Sequence, residues 1–333
     1  MAETILKLVD LKQHYPVRGS LFRKAKSVYA VDGVSFEVNA GETLGLVGES
    51  GCGKSSVGRT LLKLHEPTAG QIIYNGRDIT DLSASEMVSL RKEMQIIFQD
   101  PMESLNSRHT IGTILAEPFE IHGIGLPDER EVWVQELLQK VGLPASAASR
   151  YPHEFSGGQR QRIGIARAIA LNPKLIVCDE AVSALDVSVQ SQIINLLLEL
   201  QKQMNLALIF IAHDLSVVRH ISDQIAVMYL GRIVEISDTE TLFRHPRHPY
   251  TQALIAAIPI PDPRQRGKQL LLQGDVPSPM NPPPGCHFAS RCPQATALCS
   301  QSYPALTELG ITEPLAPEHG VRHQVACHLA SPA

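Results

Sequence analysis

The sequence has no apolar run long enough to cross a bilayer. A spanning helix needs about 18 or more consecutive apolar residues, and the longest run, near Leu206 to Ala212, falls far short of that length. The start of the chain carries Glu3 and lacks the apolar core of a secretory signal peptide. If the protein acts at a membrane, we therefore expect other chains to supply the path through it.

An excess of positive charge is also missing. The chain has 30 Lys and Arg against 34 Asp and Glu, a formal net charge of −4. This balance gives no general electrostatic reason to bind nucleic acid or an anionic membrane surface. The composition, 44% hydrophobic and 19% charged, is that of a folded globular protein and excludes a disordered chain.

Cysteine is scarce before position 286. Cys52 and Cys178 are small apolar packing residues by this interpretation. The other four follow a C-x5-C-x6-C spacing and then a longer gap: Cys286, Cys292, Cys299 and Cys327. In a reduced compartment, thiols this close in sequence favour a metal site over disulfides. The spacing lacks the C-x2-C pair of many zinc sites, whereas four cysteines also suit an iron–sulfur cluster, so both metals and no metal remain open.

Up to about residue 245, short apolar runs alternate with helical patterns, which predicts an α/β fold with a mainly parallel sheet. Three runs lack polar alternation and are expected to be strands, the last two buried on both faces. These are Thr43–Val47, Leu175–Cys178 and Leu208–Ile211. Gln71–Tyr74, followed by Asn75-Gly76, predicts a hairpin in an antiparallel flank. Residues from about 100 to 170 show a mostly helical pattern.

Proline changes the character of the chain after about residue 246. The breaks fall at Pro259, Pro261, Pro263, Pro277, Pro279 and Pro282-Pro283-Pro284. Proline at this density interrupts any long helix or strand. We therefore predict an α/β domain over 1–245, with a helical subdomain at about 100–170, and an appended loop-rich segment over 246–333.

A phosphate-binding loop pattern, G-x-x-x-x-G-K-[ST], follows the first buried strand and precedes a helical pattern. Its glycines let backbone N–H groups turn toward phosphates, and the helix that follows presents its positive end. Lys54 is expected to reach the β- and γ-phosphates, and the Ser55 hydroxyl to bind Mg²⁺. The residues expected to bind nucleotide are Gly48, Glu49, Ser50, Gly51, Cys52, Gly53, Lys54, Ser55 and Ser56. A chance match would occur in about one random chain in a hundred.

Two adjacent carboxylates, Asp179 and Glu180, end the second buried strand. In a chain that also has a phosphate loop, such a pair suits Mg²⁺ ligation and activation of a water molecule. We expect Asp179 to hold the metal, mostly through water, and Glu180 to polarise the attacking water. Without the phosphate loop, the same pair would be interpreted as solvated acids at a strand end.

A second anion-binding pattern lies at Phe155, Ser156, Gly157, Gly158 and Gln159, ahead of an Arg-rich helix. A Ser-Gly-Gly turn that starts a helix points backbone N–H groups outward. The same residues also form ordinary helix caps, so the pattern alone leaves both interpretations open.

Together, the three motifs resemble an ABC-type ATPase domain over about residues 4–245. The Phe155–Gln159 stretch is similar to the signature motif of that family, with Phe where Leu is commoner. The resemblance implies binding of ATP with Mg²⁺ and assigns several further roles. Gln99 matches the Q-loop, which also binds Mg²⁺, and His213 matches the switch histidine. The D-loop is matched by Ser183, Ala184, Leu185 and Asp186. Tyr15, with Tyr29 as runner-up, matches the aromatic that stacks on adenine.

One position departs from the family pattern. Ala181 follows Glu180 where the family usually has proline. Loss of proline frees the backbone and restores an N–H donor, so the loop is expected to be less rigid. Because Glu180 is present, hydrolysis is still expected.

Family resemblance also implies partners, because two such domains pair head to tail and each ATP lies between one phosphate loop and the opposite signature. One set of motifs occurs here, so a second ATPase subunit is implied, and we favour a different chain and hence a heterodimer. Two permease subunits and a periplasmic or surface solute-binding protein complete the implied assembly. It would place this chain at the cytoplasmic face of the inner membrane, with no nucleic-acid partner.

The final segment is similar to the C-terminal extension of ATPase subunits from oligopeptide, dipeptide and nickel importers. The residues that carry this likeness are Arg247–Leu254, Pro277-Ser278-Pro279, Pro282–Cys286 and, earlier, Asp100–Asn106. The likeness implies peptide import, with nickel or another small solute as the alternative. It also favours a [4Fe–4S] cluster over Zn²⁺ at the four cysteines.

Rival functions make different demands on the sequence. A soluble ABC-type ATPase that acts on DNA or the ribosome needs a long coiled coil or two ATPase domains in one chain, and the sequence shows neither. A binding-only regulator is expected to lack Glu180 or His213, and both are present. An exporter is opposed mainly by the final segment, for which a generic regulatory tail is the other interpretation.

Overall fold

The computed structural model describes residues 3–17, 26–100, 104–258, 274–309 and 323–330. The strands β1 to β12 are, in order, Thr4–Val17, Lys26–Asn39, Thr43–Val47, Ala69–Tyr74, Arg77–Asp78, Met94–Ile97, Leu175–Asp179, Ala207–Ala212, Gln224–Tyr229, Arg232–Asp238, Thr307–Glu308 and Gln324–Val325. The helices α1 to α10 are Lys54–Leu61, Ala84–Leu90, Ile111–Ile121, Pro127–Lys140, Gly157–Ile169, Val187–Met204, Leu215–Ile221, Thr239–Arg244, Pro249–Ala256 and Ala297–Gln301. Two compact units divide the chain, one of Met1–Ile5, Val38–Glu42 and Asp81–Ile211, the other of Leu6–Glu37, Thr43–Thr80 and Ala212–Ala333.

The first unit contains the parallel strands β6, β7 and β8. Every residue of β7 and β8 is buried, which confirms the interpretation of these runs as strands covered on both faces. The parallel register pairs Leu175 with Ala207 and Asp179 with Ile211. The acid pair, Asp179 as the last residue of β7 and Glu180 directly after it, therefore lies at the carboxyl end of the strand, the usual place for ligand contacts in α/β folds.

The helical pattern predicted at about 100–170 is confirmed by α3, α4 and α5, together with 3₁₀ helices at Ala145–Ser149 and Pro152–Glu154. Local chemistry sets where these helices begin. The Thr110 hydroxyl accepts a hydrogen bond from the Thr113 N–H at 3.3 Å and caps α3. Before α4, the Glu129 carboxylate accepts from the Leu126 N–H at 2.7 Å, and Pro127 takes the first helical position.

The second unit contains β3, which pairs in parallel with β9, while β9 and β10 are antiparallel. It also holds most of an antiparallel sheet with the strand order β2-β1-β4-β5. The hairpin between β4 and β5 turns at Asn75 and Gly76, with φ angles of 47° and 74°. A two-residue turn with both φ angles positive matches the right-handed twist of the flanking strands, so the predicted hairpin is confirmed.

Beyond residue 246, the described residues form short elements. Strand β12 pairs with β10, with Glu235 opposite Val325. The Tyr250 and Phe288 side chains are fully buried, and their ring centroids lie 4.7 and 5.3 Å from that of Tyr229 on β9. Aromatic pairs at these distances bury large apolar areas and stabilise packing. The C-terminal region, meaning the described residues from 246 onward, is therefore packed against the second unit's sheet, although it is poor in regular structure.

Some sequence-based predictions fall on residues that lie outside the described ranges. They include Pro259, Pro261, Pro263 and Pro101. Among the described residues, no helix is both long and apolar enough to span a membrane.

Candidate functional site

The phosphate-loop motif joins β3 to α1. Gly53 caps α1 with a φ of +105°, and a Cβ added there would lie 1.9 Å from the Ala30 carbonyl oxygen. Only glycine fits this position without displacing backbone. Lys54 is 4% exposed, and its ammonium donates to the carbonyl oxygens of Gly48 at 2.8 Å and Glu49 at 3.1 Å. The motif lysine therefore lies inside the curve of its own loop.

The start of α1 has the electrostatics of an anion-binding site. No acidic residue occupies the first turn of the helix, and no side chain caps it. Its first N–H groups and the positive end of its dipole favour a phosphate group. Ser55 is in the same turn and supplies a hydroxyl of the kind that binds Mg²⁺ in phosphate loops.

Two residues of the C-terminal region contact this loop, and no sequence motif assigns either of them to it. The Tyr250 hydroxyl accepts a hydrogen bond from the Glu49 N–H at 2.9 Å, and Arg291 forms an ion pair with the Glu49 carboxylate. Burial raises the pKa of Tyr250, so the phenol stays neutral. No local pattern links positions so distant in the chain, although Tyr250 lies within a run that identified the C-terminal extension.

The acid pair lies at the end of β7 in the first unit. Asp179 is 2% exposed. Glu180 has a φ of +50°, a left-handed conformation that costs a non-glycine residue about 1–3 kcal/mol and often marks functional sites. The Glu180 N–H donates to the Ile211 carbonyl at 3.0 Å, and the Gln99 side-chain amide donates to the Glu180 carboxylate at 2.9 Å. The structure thus brings together Gln99 and Glu180, two residues that the sequence placed far apart.

The signature stretch forms a complete capping box at the start of α5. The Ser156 hydroxyl accepts from the Gln159 N–H at 3.3 Å, and the Gln159 side chain accepts from the Ser156 N–H at 3.0 Å. The helix-cap interpretation is therefore confirmed, and anion binding at the start of α5 stays a prediction. Phe155 is buried beneath the Arg150 guanidinium, 4.4 Å from its ring centroid, which gives the unusual aromatic a cation–π contact.

Gln190 holds the stretch that was predicted to be the D-loop, and the sequence did not reveal this contact. Its side-chain amide donates to the carbonyl oxygens of Val182 and Leu185, both at 3.0 Å. Asp186 stands at the N-cap of α6. Because Gln190 projects from the first turns of α6, the bonds tie the backbone of the D-loop to the helix that follows it.

The remaining assigned residues lie on the second unit. His213 is exposed directly after β8, and the Asp214 carboxylate that follows it accepts from the Ser216 N–H at 2.8 Å to cap α7.

Two tyrosines were predicted as candidates for stacking on adenine. Tyr15 contacts His65 edge-on, with ring centroids 5.7 Å apart, and Tyr29 contacts His14 in the same manner at 4.5 Å. Tyr29 directly precedes Ala30, whose carbonyl lies beside Gly53. Both tyrosines stay candidates for adenine stacking.

The four C-terminal cysteines are close enough to affect one another. Burial raises the pKa of Cys286 to about 11; a hydrogen bond from the Phe288 backbone opposes the shift, and the three neighbouring cysteines add to it. The Cys286 N–H donates to the Cys299 carbonyl at 2.7 Å. Within the part of the chain that the structure describes, however, no three His, Cys, Asp or Glu side chains are grouped so as to hold a metal ion. A four-thiol set has the donor chemistry of a zinc or iron–sulfur site, although its geometry here is not that of a single-ion site.

Comparison with known proteins bears on both parts of the chain. The family model described as ABC transporter matches residues 31–183, and the model described as oligopeptide/dipeptide transporter, C-terminal region, matches residues 234–299. The first match includes the phosphate loop, the signature stretch and the acid pair, and the second includes Tyr250, Arg291 and three of the cysteines.

Full-length similarity agrees with these matches. The oligopeptide transport ATP-binding protein AppF of Bacillus subtilis (strain 168) is 54% identical over 99% of this chain and 98% of its own length. Among solved structures, a dimeric post-hydrolysis state of the ATP-binding cassette MJ0796, bound to ADP and Pi, is 27% identical with a TM-score of 0.63, over 71% of this chain and 99% of the other. The cbiO1 protein of Clostridium perfringens, part of the ABC transporter complex cbiONQ, gives the same identity and TM-score over 73% and 92%. The chain therefore belongs to the ATP-binding proteins of the ABC transporter family, in the group that carries the oligopeptide/dipeptide transporter C-terminal region.

Proposed function

We propose that this chain is the ATP-binding and ATP-hydrolysing subunit of a bacterial ABC importer for dipeptides or oligopeptides. The observation that carries the proposal is the phosphate loop, with Lys54 inside it and α1 behind it, in a chain whose C-terminal part matches the peptide-transporter region. The 54% identity to a protein named for oligopeptide transport supports the substrate class. A nickel or other small-solute importer of the same group is the alternative.

Each part of the machinery has a proposed role. Backbone N–H groups of residues 48–56 and the Lys54 ammonium bind the phosphates, and Tyr15 or Tyr29 stacks on adenine. Mg²⁺ supplies positive charge at the phosphate oxygens, and the Ser55 hydroxyl, the Gln99 amide and the Asp179 carboxylate are oxygen donors of the type it binds. The transition state of phosphoryl transfer needs positioning and charge neutralisation more than covalent chemistry.

Glu180 is proposed to accept a proton from the attacking water. The Gln99 amide fixes one carboxylate oxygen of Glu180 and the Ile211 carbonyl fixes its backbone, so the side chain is held in place before the reaction. His213 is proposed to contact the γ-phosphate. Residues Phe155–Gln159 and the D-loop Ser183–Asp186 are proposed to contact the ATP held by a partner subunit.

The proposed assembly contains a second ATPase subunit encoded by a different chain, two permease subunits and a solute-binding protein. It places this subunit at the cytoplasmic face of the inner membrane as a peripheral component. We also propose that the ATPase domain ends near residue 245. The matches to an ABC transporter model and to a transporter-specific C-terminal model support an assembly with membrane subunits over one with DNA or ribosomes.

We further propose that Cys286, Cys292, Cys299 and Cys327 bind a [4Fe–4S] cluster, with Zn²⁺ as the alternative. Burial and the neighbouring thiols raise the pKa of both Cys286 and Cys292. A cationic metal group offsets this crowding of sulfur charges, because thiolates rather than thiols are metal ligands. A cluster also spreads its four ligands over different iron atoms, so its thiols lie farther apart than those of a zinc ion.

Copurification tests the assembly and the substrate together. The tagged full-length chain is isolated from native membranes, the accompanying chains are identified, and the complex is reconstituted in vesicles. We expect permease and solute-binding chains, and MgATP hydrolysis stimulated by the binding protein loaded with peptide. Stimulation by nickel-loaded binding protein alone would assign the other substrate class, and recovery of ribosomal proteins or DNA in place of permeases would contradict the proposal.

A further inference from the structure

A salt bridge joins the C-terminal region to the phosphate loop. Both terminal nitrogens of Arg291 donate to the two carboxylate oxygens of Glu49, at 2.7 and 3.0 Å. The Arg291 side chain is 6% exposed and that of Glu49 is 29% exposed. Two parallel bonds of this kind fix the relative orientation of the groups, which a single contact with lysine does not.

Packing holds Arg291 in this position. The Arg291 guanidinium also donates to the Tyr229 hydroxyl at 3.4 Å. The backbone N–H of Arg291 donates to the backbone carbonyl of Phe288, a residue that is 1% exposed. Phe288 in turn packs against Tyr250, the residue whose hydroxyl accepts from the Glu49 N–H. The C-terminal region thus holds Glu49 at both its backbone and its side chain.

The charge of Glu49 matters because of where it lies. It directly follows Gly48 in the loop that grips phosphates, and its own carbonyl accepts from the Lys54 ammonium. A free carboxylate in this loop repels a triphosphate, and the repulsion grows with the charge of the nucleotide. The Arg291 guanidinium cancels that charge at close range and keeps the carboxylate turned toward itself.

We propose that Arg291 is a positioning residue for nucleotide binding, which neutralises Glu49 and, together with Tyr250, fixes the phosphate loop. The inference rests on the proposed ATPase function and adds a role for the C-terminal region in it. Through these contacts the C-terminal region sets the affinity of the loop for ATP.

The test is titration calorimetry of the full-length chain with MgATP, MgADP and AMP. Arg291→Ala is compared with Arg291→Lys, with Glu49→Gln and with the double variant. Arg244→Ala is the matched control, because Arg244 forms an exposed ion pair with Glu240 on α8. Thermal unfolding of each variant shows which of them are folded.

We expect Arg291→Ala to weaken MgATP binding about tenfold, MgADP binding less and AMP binding least, because MgADP lacks the γ-phosphate, and AMP both the β- and the γ-phosphate, that the loop is proposed to hold. In the Glu49→Gln background, the same substitution is expected to cost less than about threefold, because no charge is left to neutralise. Arg291→Lys should fall between the parent and Arg291→Ala.

Equal losses for the three nucleotides, or the same loss in both backgrounds, would mean that Arg291 only supports the fold and would overturn the inference. Unchanged affinity in Arg291→Ala would do so as well. Failure of the parent chain to bind MgATP is a separate outcome, which rejects the proposed ATPase function itself.

Discussion

The Gln99 side-chain nitrogen lies 2.9 Å from a carboxylate oxygen of Glu180 and donates a hydrogen bond to it. Glu180 occupies a left-handed backbone conformation, and its N–H donates to the Ile211 carbonyl, so hydrogen bonds fix both the backbone and the carboxylate of this residue. This arrangement suits a base that must accept a proton from one particular direction.

Glu180→Gln is expected to lower the rate of ATP hydrolysis by about a hundredfold or more while MgATP binding is retained, since the amide keeps the shape but accepts no proton. Phosphate release by the reconstituted complex and nucleotide binding by the chain measure the two effects separately. Glu199→Gln, at an exposed position on α6, is the control. Hydrolysis at the parent rate would show that another group is the base.

Lys54→Ala is expected to abolish hydrolysis and to weaken MgATP binding at least about tenfold, because the ammonium inside the phosphate loop is its main positive charge. Calorimetry with MgATP checks the binding, and circular dichroism checks that the variant is folded. Lys202→Ala, which removes an exposed lysine near the end of α6, should behave as the parent. Tight binding by a folded Lys54→Ala chain would place the nucleotide elsewhere.

The full-length chain purified without oxygen is expected to contain about four iron atoms and to absorb visible light. Cys286→Ser and Cys299→Ser should lose both signals, whereas Cys178→Ala, in the core of β7, should keep them. Metal analysis and an absorption spectrum are the measurements. Colourless protein with one zinc ion per chain would support the alternative metal, and protein without either metal would contradict the proposal.

Stability is expected to fall in acid because of His248. Burial lowers the pKa of this side chain to about 4, and the charge of Glu235 only partly opposes the shift. The unfolded histidine titrates near 6.5, so the unfolded chain takes up a proton that the folded chain refuses. Above pH 6.5 the buried neutral histidine therefore takes nothing from the free energy of unfolding. As the pH falls from 6.5 toward 4, the free energy of unfolding decreases.

Between pH 7.5 and 5.5, the parent should therefore lose about 1 kcal/mol more free energy of unfolding than His248→Asn. Asparagine keeps an acceptor for the Tyr250 N–H, which His248 accepts at 3.1 Å to cap α9. Urea denaturation at the two pH values measures the difference. His220→Asn, at an exposed position, should leave the acid loss unchanged, and an equal loss in His248→Asn and the parent would show that other groups cause it.

Much of the fold could be predicted because its signals are local. The unbroken apolar runs of β7 and β8 identify buried strands, Asn75-Gly76 identifies a hairpin, and the glycines of the phosphate loop identify a turn that only glycine can form. Helix ends are harder to locate from the sequence, since α1 begins at Lys54, directly after a glycine cap. Serine or aspartate at the N-cap would signal the start of a helix in the sequence, whereas the glycine here gives no such signal.

The features of the candidate site that the sequence did not predict depend on contacts between residues far apart in the chain. The pairing of Arg291 with Glu49 depends on how the C-terminal region packs, and neither residue has an unusual local pattern. The left-handed backbone of Glu180 has no sequence signal either, because glutamate does not favour this conformation and the N–H contact with Ile211 on β8 is long-range.

The pairing of β10 with β12 has a consequence for how the protein is made. Glu235 meets Val325 across this ladder, so the strand that covers the outer side of β10 does not exist until the ribosome has passed residue 325. At about 5–20 residues per second, the emerging chain carries an uncovered strand edge for roughly five to twenty seconds. Such an edge is a template for pairing with other chains, so the nascent chain is most exposed to wrong strand pairing during this interval.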